Sequence, residues 1–436
     1  MQEDKKNEKY ILPNDHKYLT FLKKVFRHEF RKNSFRRIST PYFVQKSDLE
    51  KIFKDKLDKY VYEADISWNK DYCLKNHPSI SNLLAYVNNN LKENIQPVYI
   101  YYMDIFFPKD NCNLNWEMIF GGDVIWVDDP IIDAQLIYLT YLVFEKIWLK
   151  DKFELRLNSI WNKKEQTKFF EALSDFYEWK KHLLTQESLK NLENNNLLEL
   201  LKPKNEDEEI LLSSAPKIKK YLKKDSKKHF EKLKEYLELL EIPYLEDENL
   251  FWDFDFITNT VWQFEKKDDK EVVSKGFRYN DLSIKLWEQK EIPGSWFWVY
   301  VEKIIDILKE TWIKIKNKDK LDLFFVQLWD DAKKVVLPLS LKAREAWINT
   351  ATSLWTPSMK EQMLKATRSK ARFIVMVWFM EAKSWVFQLR DSLDWTQREI
   401  KKEELIDYVV EKIGKDKLDF YEPSRDLILD KKNDED

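Results

Sequence analysis

Glycine is the residue this chain nearly does without. It occurs five times in 436 residues, against 18 tryptophans. Ordinary usage is about 7% of positions, or roughly 30 glycines at this length. Glycine supplies the positive-φ backbone that tight turns and helix ends favour. A mixed fold must therefore build those places from other residues.

The apolar pattern does predict a mixed fold. Leu19, Leu22, Val25, Phe26 and Phe30 recur at helical spacing within residues 18–32. A strand-like segment follows at 35–43, then strands at 60–63, 98–107 and 118–127, and an amphipathic helix from Ile131. Residues 163–240 are rich in Lys, Glu, Leu and Asn and hold no glycine; they read as a helical insertion with a flexible break at 202–209. Strand character returns at 251–265 and 276–285, before a helix at about 298–312 and a linker at 317–320. Beyond Leu321, strands at 323–328, 349–352 and 372–377 alternate with helices at 332–346 and 359–370. A hairpin at 385–400 and a helix at 403–413 complete an α/β pattern. The expected layout is a frayed segment 1–15, a domain at 16–312 containing the insertion, an α/β domain at 318–413, and a charged, disordered tail at 415–436.

Charge excludes one class of function. With 74 basic and 76 acidic side chains the net charge is −2, so the chain does not coat nucleic acid by bulk charge, and RNA contact needs a local patch. Cys73 and Cys112 form no CxxC pair, which suits a reducing compartment. The start, MQEDKKNEKY, lacks the apolar core of a secretory signal. The apolar stretch 131–149 is broken by Asp133, Gln135, Glu145 and Lys146, the pattern of an amphipathic helix that does not span a bilayer. These features predict a soluble, cytoplasmic protein. The five histidines have no metal-ligand spacing, and there is no Walker A loop, GxGxxG or nucleophile elbow.

Several segments, in order, resemble histidyl-tRNA synthetase, a class II aminoacyl-tRNA synthetase. FRRISTPYF (35–43) is similar to the first class II motif, QPVYIYYMDIFF (96–107) to the strand opening the second, and PGSWFWVYVEKII (293–305) to the third. DVIWVDDPIIDAQLI (123–137) resembles the strand-to-helix segment after the second motif. LRLNSI (155–160) matches the LxLNSIG segment before the family's insertion. FDFITNTVWQFE (254–265) and GFRYNDL (276–282) resemble the two histidine-specific motifs, LDYYTxTVFE and GGRYDGL. TPSMKEQMLKATRSKARFIVMV (356–377) is similar to part of the anticodon-binding domain. The likeness spans roughly residues 18–413.

It implies an α+β class II catalytic domain, an antiparallel sheet flanked by helices with a helical insertion, followed by an α/β anticodon-binding domain. It implies a homodimer joined through the first motif, with tRNA as partner and ATP and Mg²⁺ as cofactors. The activity implied is attachment of histidine to tRNA by way of histidyl-adenylate. Carried over residue by residue, it assigns Glu302, Lys303 and Arg278 to ATP, and Asp123, Asp255, Thr258 and Tyr279 to histidine. It assigns Lys360, Gln362, Lys365 and Arg368 to tRNA.

The departures are in the charge-stabilising arginines. The second motif's FRYxRPQ is FPKDNCN here, with Pro108 and Asn111 at arginine positions. RPEGT becomes KNHPS (75–79), the histidine-binding glutamine aligns with Ile119, the arginine of the first histidine motif falls near Trp252, and the third motif's arginine is Lys303. No arginine occurs between Lys75 and Arg156. Losing one preorganised donor costs about 10²–10³ in rate, so histidine activation is expected to be weak or absent. Three readings stay open: a divergent ligase, a catalytically inactive paralogue that binds tRNA or regulates, and an α/β protein in which motif remnants serve only packing.

The tryptophans bear on the same question. Trp148, Trp161, Trp296, Trp298, Trp329, Trp347, Trp378 and Trp385 fall where the family carries glycine, and Trp395 stands where Asp-Gly would turn a hairpin. UGA is read as tryptophan in some genetic codes and as glycine in others. The expectation is that most of the 18 are glycines in the cell, and reassigning all of them would raise glycine to 23; the alternative is a tryptophan-rich protein.

Overall fold

The strand Gly294–Tyr300 is buried along its whole length, as a strand is when both faces of its sheet are covered. It lies inside an eight-stranded sheet. The computed structural model describes residues 10–418 apart from 67–68, 110–115, 161–162, 253–255, 287, 289, 312, 314, 316–320, 354–355 and 357. Residues 1–9, the linker, Asn111, Trp161, Asp255 and the tail beyond 418 therefore lie outside the described residues.

The chain divides into two compact units, 1–315 and 316–436. In the first, the large sheet consists of β1 (Arg36–Arg37), β2 (Val98–Phe106), β3 (Glu117–Ile125), β4 (Phe153–Ser159), β5 (Tyr244–Glu246), β6 (Thr258–Lys266), β7 (Val272–Tyr279) and β8 (Gly294–Tyr300). Their order is β1-β2-β3-β8-β7-β6-β4-β5. The six inner strands pair antiparallel, and only the edge pairs β1–β2 and β4–β5 are parallel. This is the antiparallel class II sheet expected from the motifs, with a parallel pair added at each edge.

Alternation along the strands sorts side chains to two faces. Tyr101, Phe120, Val124, Phe264, Phe297 and Val299 pack under the helices His16–Lys32, Pro130–Lys146, Lys224–Leu239 and Val301–Glu310. Helix Pro130–Lys146 starts cleanly: Asp129 accepts from the Ile131 N–H at 2.9 Å and proline takes the first helical position. Tyr102, Ile119, Phe277, Tyr279, Trp296, Trp298 and Tyr300 face the other way. A three-stranded sheet (Phe43–Gln45, Glu63–Ile66, Asn69–Leu74) and helix Pro78–Asn88 belong to the same unit.

The insertion is helical throughout, from Lys163–Trp179 to Lys224–Leu239, with its own apolar contacts among Phe169, Leu173, Tyr177, Leu200 and Leu211. The flexible break expected at 202–209 is a helix start instead: Asn205 accepts from the Glu208 N–H and caps Glu206–Ser214. Other boundaries shift too. Only Arg36–Arg37 of segment 35–43 pairs with β2, residues 57–60 are helical before the strand Glu63–Ile66, and β6 begins at Thr258. The helix expected from 298 starts at Val301, because Trp298, Val299 and Tyr300 are held in the ladder between β3 and β7. An aromatic and β-branched run suits a strand.

In the second unit, β9 (Leu323–Gln327), β10 (Thr350–Thr352), β11 (Phe373–Val377), β12 (Val386–Asp391) and β13 (Gln397–Lys401) are ordered β10-β9-β11-β12-β13. The first three are parallel and the last two antiparallel. Helices Trp329–Glu345, Met359–Arg368 and Lys402–Ile413 supply the α part, and a short helix, Phe379–Ser384, was not anticipated. Among the described residues no helix is long and apolar enough to cross a membrane.

Candidate functional site

The cleft face of the large sheet carries a cavity of about 210 Å³. Its wall includes His77, Pro108, Glu117, Trp252, Lys275 and Trp298. Small-molecule sites are usually about 300–1,000 Å³, so this one is tight, and indoles take up its margin.

Lys275 is its main cation. It projects from the middle of β7, and its ammonium lies 3.8 Å from the centre of the Trp252 ring and 5.9 Å from that of Tyr300. Among the described residues its ammonium makes no hydrogen bond and is met by aromatic rings instead. The ammonium is sunk among rings while the residue keeps part of its surface in solvent. Burial lowers its pKa to about 7; Glu117 opposes the shift, and Lys303 and Lys202 add to it. A cation in that state gains from an arriving anion.

Deeper in the sheet, Asp123 on β3 is fully buried. It accepts from Asn82 Nδ2 at 2.6 Å and from the Tyr279 hydroxyl at 2.9 Å. Burial pushes its pKa up to about 7 in spite of these two bonds. Trp296 is its cross-strand neighbour on β8. That indole donates to the Tyr102 hydroxyl at 2.6 Å, and its ring centre is 4.6 Å from His77. His77 is held neutral, at about pKa 3, by burial and then by Lys275.

The structure thus brings Asp123 and Tyr279 together. The Thr258 hydroxyl is buried and has no hydrogen-bond partner among the described residues. Arg278 is a correction. Its guanidinium is fully buried on the helix side of the sheet, with Nε and Nη2 on Asp133, Nη1 on Val127 O and Asp128, and Nη2 also on Asp129 O. All five N–H groups are used inside the protein, and none remains for ATP. Asp133 also receives Ser295, Thr260 and His229. Burial would raise its pKa, but Arg278, His229 and Ser295 together hold it well below the usual carboxylate range.

Glu302 accepts from the Met118 N–H at 2.7 Å, at the start of β3. Lys303 donates to Val272 O at 2.8 Å and lies 3.4 Å from Glu271. Both adjoin the strands that carry the cleft. In the second unit, Lys360, Lys365 and Arg368 are exposed on helix Met359–Arg368. Gln362 is not, and its assignment to tRNA is corrected. Its amide is fully buried, donating to Gln327 O and Thr356 O and accepting from Gln327 N, so it ties the helix to β9.

Lys275, Asn82, Tyr102 and Asp133 were missed at the level of sequence. Two left a signal: Lys275 interrupts an otherwise uncharged run, VVSKGF, and Asp133 sits inside PIIDAQLI. A charge inside an apolar run needs a partner or a purpose.

A sheet of this order, a cleft on the face opposite the long helices and an appended parallel-to-antiparallel α/β unit together invite comparison with known proteins. The histidine–tRNA ligase of Halothermothrix orenii is 26% identical over 409 residues, covering 91% of this chain and 96% of that protein. The enzyme of the same name from Streptococcus thermophilus is 25% identical, covering 91% and 94%. The crystal structure of apo S. aureus histidyl-tRNA synthetase superposes with a TM-score of 0.72 at 23% identity, over 92% of this chain and 98% of that one. The chain is a divergent relative of the histidyl-tRNA synthetases. No family model matches it. In this chain the cleft wall holds Pro108 and Trp298 beside two lysines, Lys109 and Lys275.

Proposed function

We propose that this synthetase-like chain activates histidine with ATP and attaches it to tRNA, at a rate limited by its depleted charge. The observation that carries this reading is the pairing, on one face of the sheet, of the Lys275 cation with the buried Asp123–Tyr279 pair. The reaction asks the protein mainly to position a carboxylate in line with an α-phosphate and to stabilise charge. Lys275 would face the phosphates; Asp123 and Tyr279, with Thr258 and Asp255, would receive the nitrogen groups of histidine. Glu302 and Lys303 would shape the nucleotide end through β3 and β7. Mg²⁺ would ride on the phosphates, with Glu117 of the cleft wall as a nearby carboxylate.

A homodimer through the β1 edge, tRNA contact by Lys360, Lys365 and Arg368, and a cytoplasmic location belong to the same reading. The catalytically inactive alternative is favoured by one observation: the Trp296 and Trp298 indoles occupy the cleft face itself. Histidine-dependent pyrophosphate exchange separates the two. The ligase reading expects exchange that needs both histidine and ATP and falls about 10²–10³-fold in Lys275→Met. Complete absence of exchange from the folded protein supports the inactive one.

A further inference from the structure

We infer that the left-handed tryptophans of this chain, with Trp296 and Trp298, stand at codons its cells read as glycine, and that the pocket over Asp123 is open in the protein those cells make. The backbone carries the argument. Among the described residues fourteen non-glycine residues have positive φ, and six of them are tryptophan: Trp126, Trp148, Trp329, Trp347, Trp385 and Trp395, with φ from 57° to 87°. Left-handed backbone crowds Cβ against the carbonyl, and for a bulky residue it is an outlier.

The surrounding bonds are those of glycine turns. After helix Pro130–Lys146, Trp148 N bonds Glu145 O and Leu149 N bonds Phe144 O. After helix Trp329–Glu345, Trp347 N bonds Arg344 O and Ile348 N bonds Ala343 O. Both are complete Schellman motifs with tryptophan at the position glycine favours. Trp395 lies in the β12–β13 hairpin connection. Three of these residues stay largely in solvent: Trp148, Trp329 and Trp395 are 70%, 62% and 66% exposed.

The encoded glycines behave differently. Only Gly414 has positive φ; Gly121, Gly122, Gly276 and Gly294 sit in β3, β7 and β8, where a Cβ would strike a neighbour. Close approach inside the sheet is served by glycine, while nearly all the turns that favour it are not. A codon read in two ways explains that split, since UGA means tryptophan in some codes and glycine in others.

The interior points the same way. The ring centres of Trp296 and Trp298 are 3.7 Å apart at an interplanar angle of 49°, whereas aromatic pairs settle at about 4.5–7 Å. Glycine at both positions removes two indoles from the face shared with Asp123, leaves the Tyr102 hydroxyl with Phe297 O as its partner and wets the carboxylate. The burial that raises the Asp123 pKa is then relieved, and it stands ionised beside two phenols. Such a floor selects a small ligand bearing cationic or N–H donors; that it is histidine rests on the function proposed above.

Peptide mass spectrometry of the protein isolated from its own cells tests the decoding without reference to activity. Glycine at 148, 298, 347 and 395 is expected, and tryptophan at these positions overturns the inference. Calorimetry with L-histidine tests the pocket, comparing the tryptophan-containing chain with the double variant Trp296→Gly/Trp298→Gly. A gain in affinity of about 10-fold or more is expected, equivalent to about 1.4 kcal/mol; equal affinity or no binding in the folded double variant overturns the open pocket. Glycine peptides from a protein that shows no pyrophosphate exchange would sink the ligase reading while leaving the decoding standing.

Discussion

The two faces of one sheet are built to different standards. On the helix side, Asp133 gathers Arg278, His229, Thr260 and Ser295, and every N–H of Arg278 is satisfied. On the cleft side, Lys275 has rings in place of a carboxylate, Asp123 is pushed up to about 7, and two indoles crowd each other. Strand β7 serves both faces, sending Arg278 one way and Phe277 and Tyr279 the other. Polar groups left incomplete collect where something else is meant to complete them. The helix side is closed on itself; the cleft side leaves a charged and a buried acidic group incompletely paired.

The sharpest way to break this comparison is Arg278→Met. Removing one partner of a buried, fully bonded pair strands Asp133, and a loss of about 3–5 kcal/mol in urea unfolding is expected. A loss below about 1 kcal/mol would show that the helix-side cluster is not the anchor described.

Asp123 should respond with the opposite sign. Burial raises its pKa in the folded protein to about 7, from an ordinary 3.8. Between those values the folded state keeps a proton that the unfolded state releases, so stability from this group is full below pH 3.8 and is lost as pH rises through 7. Asp123→Asn should therefore gain on the parent protein as pH is raised from 4 to 7, by up to about 4 kcal/mol, and level off above that. Unfolding free energies measured across that range check it; a flat difference would mean the carboxylate is already solvated.

A smaller effect is expected in the second unit. Gln362→Ala leaves Gln327 N and two carbonyls without their partner and should cost about 1–3 kcal/mol. If tRNA binding by the variant, measured at constant salt, falls far more than stability does, Gln362 touches RNA after all. The smallest effect is at the end of helix Trp329–Glu345, where Trp347 is half-buried. Trp347→Gly in the tryptophan-containing chain should raise stability by about 1 kcal/mol by relieving left-handed strain, seen as a higher thermal midpoint; a lower midpoint would show that the indole packs usefully there.

Much of the architecture was legible. Helix His16–Lys32, strands β2 and β3 and the alternation of the second unit follow from apolar spacing, which survives because burial enforces it. Asp123 and Tyr279 were legible from motif order. The faces were not. Arg278 and Gln362 were assigned to ligands because they lie in segments that resemble family motifs, yet both are buried and hydrogen-bonded within the protein. Lys275 was overlooked because one lysine in a strand says nothing about what lies across from it.

By itself, then, the sequence determined local periodicity, the order of the motifs and a shortage of glycine at turns, all of which are properties of residues close together in the chain. Only the tertiary structure decided which polar groups are spent and which are free. Asp133 and Arg278 are 145 residues apart, as are no two groups that a local pattern could relate. The worth of a charge depends on its desolvation and on its partners, and both are set by strands that meet from distant parts of the chain.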